Sequence, residues 1–448
     1  MNKKYKRILI ANRGDSAVRV IRACKDMGIE TVSVFSKSDK GALHTRLSDY
    51  SVCIGDGQSK NSYLNAYNLL AAATYYKVDA IHPGIGYFAE NADFSELCES
   101  CNIDYIGPSS ENISMMGNKV EAKKLAKELN IPIIGDDCVE IKTYQECLDY
   151  ARKIGYPIIL KVVNGGGGKG IRVVKSEEDL LHAFNMCLKE VEKVFGASGI
   201  LVENYLEKAK HIEVQVLADS YGNIIHLGDR ECTIQRSKQK LIEEARCNTL
   251  DEEIRNKMYQ GAIDICKRIG YVGVGTVEYI LKGHKFYFME MNTRLQVEHT
   301  ISELVTGIDL VKEQIRVSQG ESLQYKQKDV SFQGYAIQCR ILAECFKGMF
   351  IPDCGKITKF NMPGGFGVRV DSSYEVNNIV TNYYDSLLCK ISCHDYNKVE
   401  AVKKMLRCLE EIQIEGVLTN VDFLIDIIKN PRFLEGDYTT EFAESFRI

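Results

Sequence analysis

The chain has 448 residues, of which 45% are hydrophobic, and at about 150 residues per domain this length predicts roughly three domains with sizeable cores. Its 57 lysines and arginines nearly balance its 61 aspartates and glutamates, which excludes the broad basic surface of a nucleic-acid binder. No apolar stretch approaches the length of a membrane span or of a signal-peptide core, so we expect a cytoplasmic protein without membrane partners.

The N-terminal part of the chain alternates apolar runs with helical stretches. The runs Arg7–Ala11, Thr31–Phe35 and Ala80–His82 are predicted strands, and helices are predicted up to about Met27 and over Leu64–Tyr76. Alternating β and α units at this spacing predict a parallel sheet covered by helices, which is a Rossmann-like α/β domain. The first turn carries a single glycine, so the dinucleotide-binding fingerprint is absent.

A run of glycines separates two β-rich segments in the middle of the chain. Ile158–Asn164 precedes the run and Ile171–Val174 follows it. The run consists of Gly165, Gly166, Gly167, Gly168, Lys169 and Gly170. Because glycines lack Cβ, their N–H groups can approach a phosphate chain, and the exit into a strand rather than a helix excludes a Walker loop. The segment therefore predicts a flap over a nucleotide, with a flexible hairpin tip as the alternative.

The segment Gly273–Asn292 reads as a β-hairpin with glutamates in both strands. If its loop is the three residues Gly283–Lys285, then Glu278 faces Glu290 and Asn292 shares their sheet face. Facing carboxylates repel unless a cation lies between them, so this register predicts a site for Mg²⁺ or Mn²⁺. A two-residue loop would place the glutamates on opposite faces and abolish the site. A solvated sheet face is the alternative.

Two further segments carry polar residues at strand spacing. In His211–Leu217 the polar residues fall on one strand face and the aliphatic residues on the other. The cations Arg236, Lys238 and Lys240 alternate along the chain, so an extended segment would form one positive stripe able to meet a phosphate or carboxylate. A solvated sheet edge explains both patterns equally well.

The segment Met291–His299 continues directly from the proposed metal strand. It brings Arg294, Gln296 and Glu298 close together in sequence, which combines a guanidinium, an amide and a carboxylate. This composition predicts an anion clamp that carries its own base.

In this order, the segments resemble an ATP-grasp enzyme, and specifically biotin carboxylase, from about Lys6 to Phe442. The carrying motifs are Ala11–Gly14, His82–Gly84, Met116–Lys119, the glycine run, Gln235–Ala245, Glu290–His299 and Pro363–Arg369. The resemblance implies a mixed α/β and α+β molecule of three domains. These are a Rossmann-like biotin carboxylase N-terminal domain over residues 1–114, an ATP-grasp domain over residues 115–329 and a mixed α+β C-terminal domain over residues 330–448. A mobile glycine-rich lid would span about residues 133–205 of the ATP-grasp domain.

The resemblance also implies a role for individual residues. ATP would be bound by Lys119, Lys161, Gly165, Gly166, Gly167, Gly168, Lys169, Gly170, Glu203, Leu206, His211 and Gln235. Glu278, Glu290 and Asn292 would organise Mg²⁺ or Mn²⁺. Bicarbonate would be held by Lys240, Arg294, Gln296, Val297 and Glu298, with Glu298 as its general base. Arg340 would stabilise the biotin enolate, with Ile85 near biotin.

The implied reaction joins bicarbonate to the γ-phosphoryl group of ATP to give carboxyphosphate, whose CO₂ then carboxylates biotin. The implied partners are a biotin carboxyl carrier protein and a carboxyltransferase subunit. The final acceptor would be acetyl-CoA, as in fatty acid biosynthesis, another acyl-CoA or a keto acid, as in a pyruvate carboxylase-type subunit. A separate carrier is expected because no Met-Lys-Met turn occurs and few residues follow the predicted helix Val399–Ile412. A homodimer is expected through Arg22, Asp26, Phe366 and Arg369.

Several positions depart from the usual pattern of the family. Ile85 stands where tyrosine is usual near biotin, and Thr300 stands where proline usually follows the Glu-His pair. The other departures are Asn164, Ser237, Lys238, Arg246, Leu342 and Cys345. These changes bear on how biotin is seated and how the ribose is held.

Two other functions are compatible with these motifs. One is an ATP-grasp ligase of the carbamoyl-phosphate type, which passes carboxyphosphate to ammonia. The other is a catalytically silent ATP-binding subunit. The uninterrupted length and the C-terminal region favour biotin carboxylase over the first, and the retained residues Lys240, Arg294, Glu298 and Arg340 favour an active enzyme over the second.

Overall fold

Five parallel strands form the sheet of the N-terminal part, in a computed structural model that describes residues 4–135, 138–163, 170–194, 199–345 and 350–446. The strands are β1 (Arg7–Ile10), β2 (Glu30–Ser36), β3 (Tyr50–Gly55), β4 (Ala80–His82) and β5 (Asp104–Tyr105). Their order is β3-β2-β1-β4-β5, an order typical of Rossmann-like sheets. The helices are α1 (Gly14–Asp26), α2 (Leu43–Leu47), α3 (Ala66–Tyr75), α4 (Ala92–Ser100) and α5 (Ser110–Gly117). The predicted parallel α/β arrangement is confirmed.

A small antiparallel sheet follows. Its strands are β6 (Glu140–Ile141), β7 (Ile158–Val162), β8 (Ile171–Val174) and β9 (Ile200–Asn204), in the order β6-β9-β7-β8. The helices of this region are α6 (Lys119–Glu128), α7 (Tyr144–Ile154) and α8 (Glu177–Val194). Strands β7 and β8 pair antiparallel, with Lys161 opposite Ile171. The strands predicted on both sides of the glycine run are therefore present, whereas Gly165, Gly166, Gly167, Gly168 and Lys169 lie outside the described residues.

The rest of the central part contributes long strands. They are β10 (Lys210–Ala218), β11 (Ile224–Arg236), β12 (Gln239–Ala245), β13 (Gly273–Lys282) and β14 (Lys285–Asn292). Its helices are α9 (Glu252–Arg268), α10 (His299–Thr306) and α11 (Leu310–Ser318). Apolar residues of α9, such as Met258, Ala262 and Ile265, are buried in one cluster with Val214 and Val277 of the strands. This packing leaves the opposite sheet face for other contacts.

The C-terminal part is a mixture of short strands and helices. Its strands are β15 (Tyr335–Leu342), β16 (Glu344–Cys345), β17 (Ile351–Pro352), β18 (Gly355–Lys356), β19 (Lys359–Asn361), β20 (Val368–Ser372), β21 (Ile379–Val380), β22 (Leu387–Asp395) and β23 (Gln413–Glu415). Its helices are α12 (Lys398–Glu411), α13 (Val421–Lys429) and α14 (Pro431–Glu435). Met405 and Leu409 of α12 share a buried cluster with Ile391 of β22, so the amphipathic helix predicted there covers the sheet.

One eight-stranded sheet joins the central and C-terminal parts, in the order β14-β13-β10-β11-β12-β15-β22-β20. Strand β12 pairs with β15, and Glu243 lies opposite Gln338. Residues far apart in sequence are thereby fixed relative to each other by backbone hydrogen bonds. Among the described residues, no helix is both long and apolar enough to cross a membrane.

Candidate active site

A cavity of about 550 Å³ brings together most of the residues singled out in the sequence. Its walls include Ile85, Lys119, Lys161, Leu206, His211, Gln235, Lys240, Glu278, Glu290, Asn292, Arg294, Gln296, Val297, Glu298 and Arg340. Glu203 is buried beside Lys161, with Oε2 2.7 Å from the lysine Nζ. Gly170 is buried directly before β8. Residues from all three parts of the chain thus meet around one space.

The hairpin that carries the predicted metal ligands has a different loop from the expected one. Lys282 pairs with Lys285, so the loop has two residues and the prediction of a three-residue loop is wrong. A β-bulge at Met289 then shifts the register, because Tyr279 lies opposite Phe288 whereas Glu278 lies opposite Glu290. The bulge adds the one residue that the shorter loop lacks. Glu278 therefore faces Glu290 as predicted, for a different reason.

The polar face of β10 lies inside the sheet rather than at a solvated edge. β10 is flanked by β13 and β11, and its Glu213 lies opposite Glu278 on one side and opposite Arg230 on the other. His211, Glu213 and Gln215 are all buried. Buried ionised groups require partners, so the solvated-edge interpretation of this segment is wrong.

Lys240 is the centre of a buried ionic cluster. Its Nζ donates to Glu213 Oε2 at 2.6 Å, to Glu298 Oε1 at 2.7 Å and to Glu278 Oε1 at 3.0 Å. Burial by itself lowers the pKa of Lys240, but the three carboxylates outweigh burial and hold that pKa well above the ordinary lysine value. Lys240 is therefore a permanent cation at the cavity wall.

Glu298 is held between two cations. Besides Lys240, Arg340 Nη2 donates to Glu298 Oε2 at 2.9 Å. Burial raises the pKa of Glu298, but the cations Lys240, Arg340 and Arg230 together outweigh burial and keep that pKa below the ordinary glutamate value. Glu298 is thus an ionised carboxylate, and each of its oxygens binds a cation.

Arg230 is a buried member of this cluster that the sequence analysis missed. Its Nε donates to Glu213 Oε1 at 2.5 Å, and its Nη2 donates to Gln296 Oε1 at 2.7 Å. Gln296 in turn donates from Nε2 to Glu278 Oε1 at 2.7 Å. The available signal was the run Asp229-Arg230-Glu231 inside an otherwise β-rich segment. A charged triplet within a strand of a large sheet indicates a buried network.

The three predicted metal ligands lie on one cavity wall. Asn292 Nδ2 donates to Glu278 Oε1 at 2.8 Å, and the Glu290 side chain keeps 28% of its surface exposed, with Oε2 3.7 Å from Lys119 Nζ. Two carboxylates and an amide oxygen are the hard ligands that Mg²⁺ and Mn²⁺ prefer. The residues present therefore fit such an ion, and the accessible Glu290 oxygens face the same cavity as Lys119.

A second lysine, Lys123 of α6, lies near Lys161 and was not identified from the sequence. Lys123 is fully buried, and Glu203, the ion-pair partner of Lys161, also forms an ion pair with Lys123. On the neighbouring wall, Gln235 Nε2 lies 2.9 Å from His211 Nδ1. Lys123 follows Lys119 by one helical turn, so helical spacing was the available signal.

The predicted positive stripe is not formed. Ser237 and Lys238 adopt positive φ values of 47° and 67° and form the turn between β11 and β12. Arg236 turns to Glu344, with Nη1 2.6 Å from Oε2, whereas Lys240 faces the cavity. The extended conformation that the stripe required is excluded by the turn, so that prediction is wrong.

Neighbouring residues hold the segment that was predicted to form the anion clamp. Arg294 Nε donates to Glu90 Oε2 at 2.8 Å, and Arg294 Nη2 donates to Asn292 Oδ1 at 3.0 Å. The carbonyl oxygen of Val297 accepts from Lys390 Nζ at 2.9 Å. The segment from Arg294 to Glu298 is thus fixed from both sides while its side chains line the cavity.

Comparisons with known proteins agree with this arrangement. Residues 4–113 match the model "Biotin carboxylase, N-terminal domain", and residues 338–445 match "Biotin carboxylase C-terminal domain". Residues 118–326 match "Carbamoyl-phosphate synthase L chain, ATP binding domain". Because the flanking regions match biotin carboxylase models, the shared ATP-binding region does not favour the carbamoyl-phosphate alternative.

Full-length similarity extends to individual proteins. Biotin carboxylase 1 of Bacillus subtilis is 47% identical over 99% of both chains, and biotin carboxylase of Pseudomonas aeruginosa is 43% identical over 98% of both chains. The biotin carboxylase domain of Hydrogenobacter thermophilus 2-oxoglutarate carboxylase, a dimer solved with MgADP, ADP and bicarbonate, superposes with a TM-score of 0.96 at 42% identity over 99% of this chain and 98% of that chain. The Campylobacter jejuni biotin carboxylase complex with β,γ-ATP gives 0.95 at 42% identity over 99% of both chains. By sequence and by fold, this chain belongs to the biotin carboxylase family.

Proposed function

We propose that this protein carboxylates biotin with bicarbonate in an ATP-dependent reaction, as the first half-reaction of a biotin-dependent carboxylase. The observation that carries this proposal is the ionic cluster around Lys240. It places the candidate base Glu298 in the same cavity as Lys119 and Lys161. A carboxylate base and a cationic phosphate region in one enclosed space suit the joining of bicarbonate to a phosphoryl group.

Bicarbonate would bind where Lys240, Arg294 and Gln296 surround Glu298. Without substrate, Lys240 and Arg340 bind Glu298 directly and hold its pKa low, which makes it a weak base. An anion that takes over the Lys240 contact removes part of this stabilisation and adds a like charge, and both changes raise the pKa of Glu298. Substrate binding thus activates its own base.

The nucleotide would occupy the part of the cavity lined by Lys119, Lys161, Leu206, His211 and Gln235, with Glu203 behind it. Lys119 and Lys161 would meet the phosphates, because both amines reach the cavity from buried stems. Gly170 lies at the end of the glycine run where β8 begins. From the sequence alone, we propose that the phosphates are covered by Gly165, Gly166, Gly167, Gly168 and Lys169.

Glu278, Glu290 and Asn292 would hold Mg²⁺ or Mn²⁺, which when bound neutralises phosphate charge. Arg340 would stabilise the biotin enolate, since it is a fixed cation that also contacts Glu298. Ile85 lines the same cavity and would contact biotin through apolar surface.

Biotin would arrive on a carrier protein, and a carboxyltransferase would complete the reaction with acetyl-CoA, another acyl-CoA or a keto acid. A homodimer is proposed through Phe366, which is 98% exposed, together with Arg22, Asp26 and Arg369. An exposed phenylalanine is a typical interface anchor. The assembly would not include nucleic acid.

One assay separates the proposed function from its rivals. Bicarbonate-dependent ATP cleavage is measured without biotin, with free biotin, with a biotinylated carrier and with ammonia. A biotin carboxylase forms carboxybiotin in the second and third reactions. Product formation from ammonia instead identifies a ligase of the carbamoyl-phosphate type, and the absence of ATP cleavage in all four reactions identifies a silent subunit.

A further inference from the structure

Thr300, which stands where the family usually has proline, is fully buried in the first turn of α10, two residues after Glu298. Its Oγ1 donates to Gln338 Oε1 at 2.5 Å and lies 3.0 Å from Ser392 Oγ. Proline has no hydroxyl, so this contact depends on the threonine. The departure at position 300 therefore has a structural consequence.

The contact fixes which way the Gln338 amide points. Gln338 Oε1 accepts from Thr300, and Gln338 Nε2 donates to Glu243 Oε2 at 3.0 Å. If the amide turned over, its oxygen would face the carboxylate oxygen and the hydrogen bond would become a repulsion. Ser392 Oγ, 3.3 Å from Gln338 Oε1, gives weaker support to the same orientation.

The chain of hydrogen bonds ends on Arg340. Glu243 Oε1 accepts from Arg340 Nε at 2.5 Å, and Arg340 Nη2 donates to Glu298 at 2.9 Å. Glu243 and Gln338 are opposite each other in the register of β12 and β15 and are fully buried. The link between Glu243 and Gln338 is therefore held by backbone pairing and shielded from water.

We propose that Thr300 and Gln338 are positioning residues that hold Glu243, and through it the Arg340 guanidinium, in the orientation required for carboxylation of biotin. This inference rests on the proposed role of Arg340. Neither residue is among those that line the cavity, and both act through Glu243. Arg340 is aligned by one carboxylate that stays in place, Glu243, while Glu298 changes its protonation during the reaction.

Loss of the Gln338 hydrogen bond would also change the protonation of Glu243. Burial favours its neutral form, and Gln338 and Arg340 oppose burial. The other groups around it are Glu298, Cys339 of β15 and Cys232 of β11. A protonated Glu243 would no longer hold Arg340 as an ion pair.

The test compares Thr300→Val with Thr300→Ser, and uses Thr306→Val as the matched control from the same helix. Thr306 donates to the carbonyl of Ser302 and takes no part in the chain. For Thr300→Val we expect the kcat of biotin carboxylation to fall about tenfold near neutral pH. The reason is that Gln338 would no longer be held in the orientation that donates to Glu243, and one lost hydrogen bond to a charged group has an effect of this size. The KM for ATP should not change. The acid limb of the pH–rate profile should move to higher pH by about one unit, because Glu243 would become protonated more easily. Thr300→Ser should restore both the kcat and the pH profile.

A double-variant cycle with Arg340→Gln decides the mechanism. If Thr300 acts through Arg340, adding Thr300→Val to Arg340→Gln causes no further loss, because coupled residues are not additive. Full additivity, or an unshifted pH profile in Thr300→Val, would overturn the proposal. If Thr300→Val does not fold, Gln338→Met takes its place in the cycle. An Arg340→Gln enzyme with a normal rate would instead refute the role of Arg340, which is part of the proposed function.

Discussion

Replacing Glu298 by glutamine tests the proposed base with little change in shape. The side chain is 2% exposed and binds Lys240 and Arg340 through separate oxygens. An amide oxygen can still accept from one of these cations, but the amide nitrogen cannot accept a proton or a hydrogen bond from the other. The variant therefore removes one charge, one hydrogen bond and the proton acceptor.

The expected loss of activity is large and the expected loss of stability is small. A positioned general base contributes about 10²–10⁴ in rate, so bicarbonate-dependent ATP cleavage should fall by that factor. In the buried cluster, Lys240, Arg230 and Arg340 face the carboxylates of Glu213, Glu243, Glu278 and Glu298. Removing one negative charge leaves three cations and three carboxylates. The cost should thus be near that of one hydrogen bond to a charged group, about 2 kcal/mol.

The pH dependence gives an independent check. The pKa of Glu298 is held below its unfolded value of about 4.3. Its stabilisation is therefore complete above that value and is lost as pH falls through the folded pKa. The difference in thermal unfolding temperature between the wild-type protein and Glu298→Gln should be constant from pH 8 to about pH 5 and should shrink at lower pH.

The assay measures ATP cleavage with and without bicarbonate, together with nucleotide affinity by calorimetry. Nucleotide affinity should persist, because Lys119 and Lys161 are unchanged. Glu313→Gln is the matched control, since Glu313 is also a buried glutamate paired with an arginine, Arg316, but lies outside the cavity. A Glu298→Gln enzyme that carboxylates biotin at nearly the normal rate would refute the assignment.

Further tests concern the metal site, the dimer interface and the carrier protein. Glu290→Gln should weaken binding of the magnesium–nucleotide complex about tenfold and binding of free nucleotide much less, and calorimetry with and without Mg²⁺ would contradict the metal site if both affinities changed equally. Phe366→Ala should weaken dimerisation by about 2 kcal/mol, as measured by sedimentation velocity. The matched control is Tyr67→Ala, because Tyr67 is also an exposed aromatic residue. A wild-type protein that is only monomeric at micromolar concentration would contradict the proposed dimer. A biotinylated carrier should exceed free biotin in kcat/KM by about 10²–10⁴-fold, because tethering raises the effective concentration, and equal efficiency would contradict the need for a carrier.

The N-terminal sheet and the strands beside the glycine run were predictable because their signals are local. An apolar run such as Arg7–Ala11, followed by a turn and an amphipathic stretch, specifies a β-α unit without reference to the rest of the chain. The same holds for α12, whose apolar positions repeat at helical spacing. The pairing of β12 with β15 is not local, since it joins residues separated by a long stretch of sequence. Sequence patterns do not specify which edges of two sheets meet.

The ionic cluster around Lys240 was also predictable only in its local part. The residue types of Lys240, Glu298 and Arg340 were found in motifs, but their mutual contacts depend on the sheet. Arg230 was missed because the charged triplet Asp229-Arg230-Glu231 does not reveal which residues of other strands it contacts. The stripe of alternating cations failed because it assumed an extended chain, whereas Ser237 and Lys238 form a turn. A periodic pattern predicts a shared face only where the backbone period is already known.

The hairpin between β13 and β14 shows why a correct site can follow from an incorrect loop. Glu278 and Glu290 face each other only if one residue between them is left unpaired, and this residue can lie either in the loop or in a bulge. The prediction placed the extra residue in the loop, whereas the structure places it in a bulge at Met289. A two-residue turn suits the twist of a hairpin, and a bulge re-aims side chains near a site. Deleting Met289 would therefore leave a regular two-residue hairpin in which the two carboxylates still face each other, whereas straightening the bulge without a deletion would place them on opposite faces. A three-residue loop and a two-residue loop with a bulge both bring the two carboxylates together, which is what binding of a divalent cation requires. The type of turn is therefore not decisive for the site.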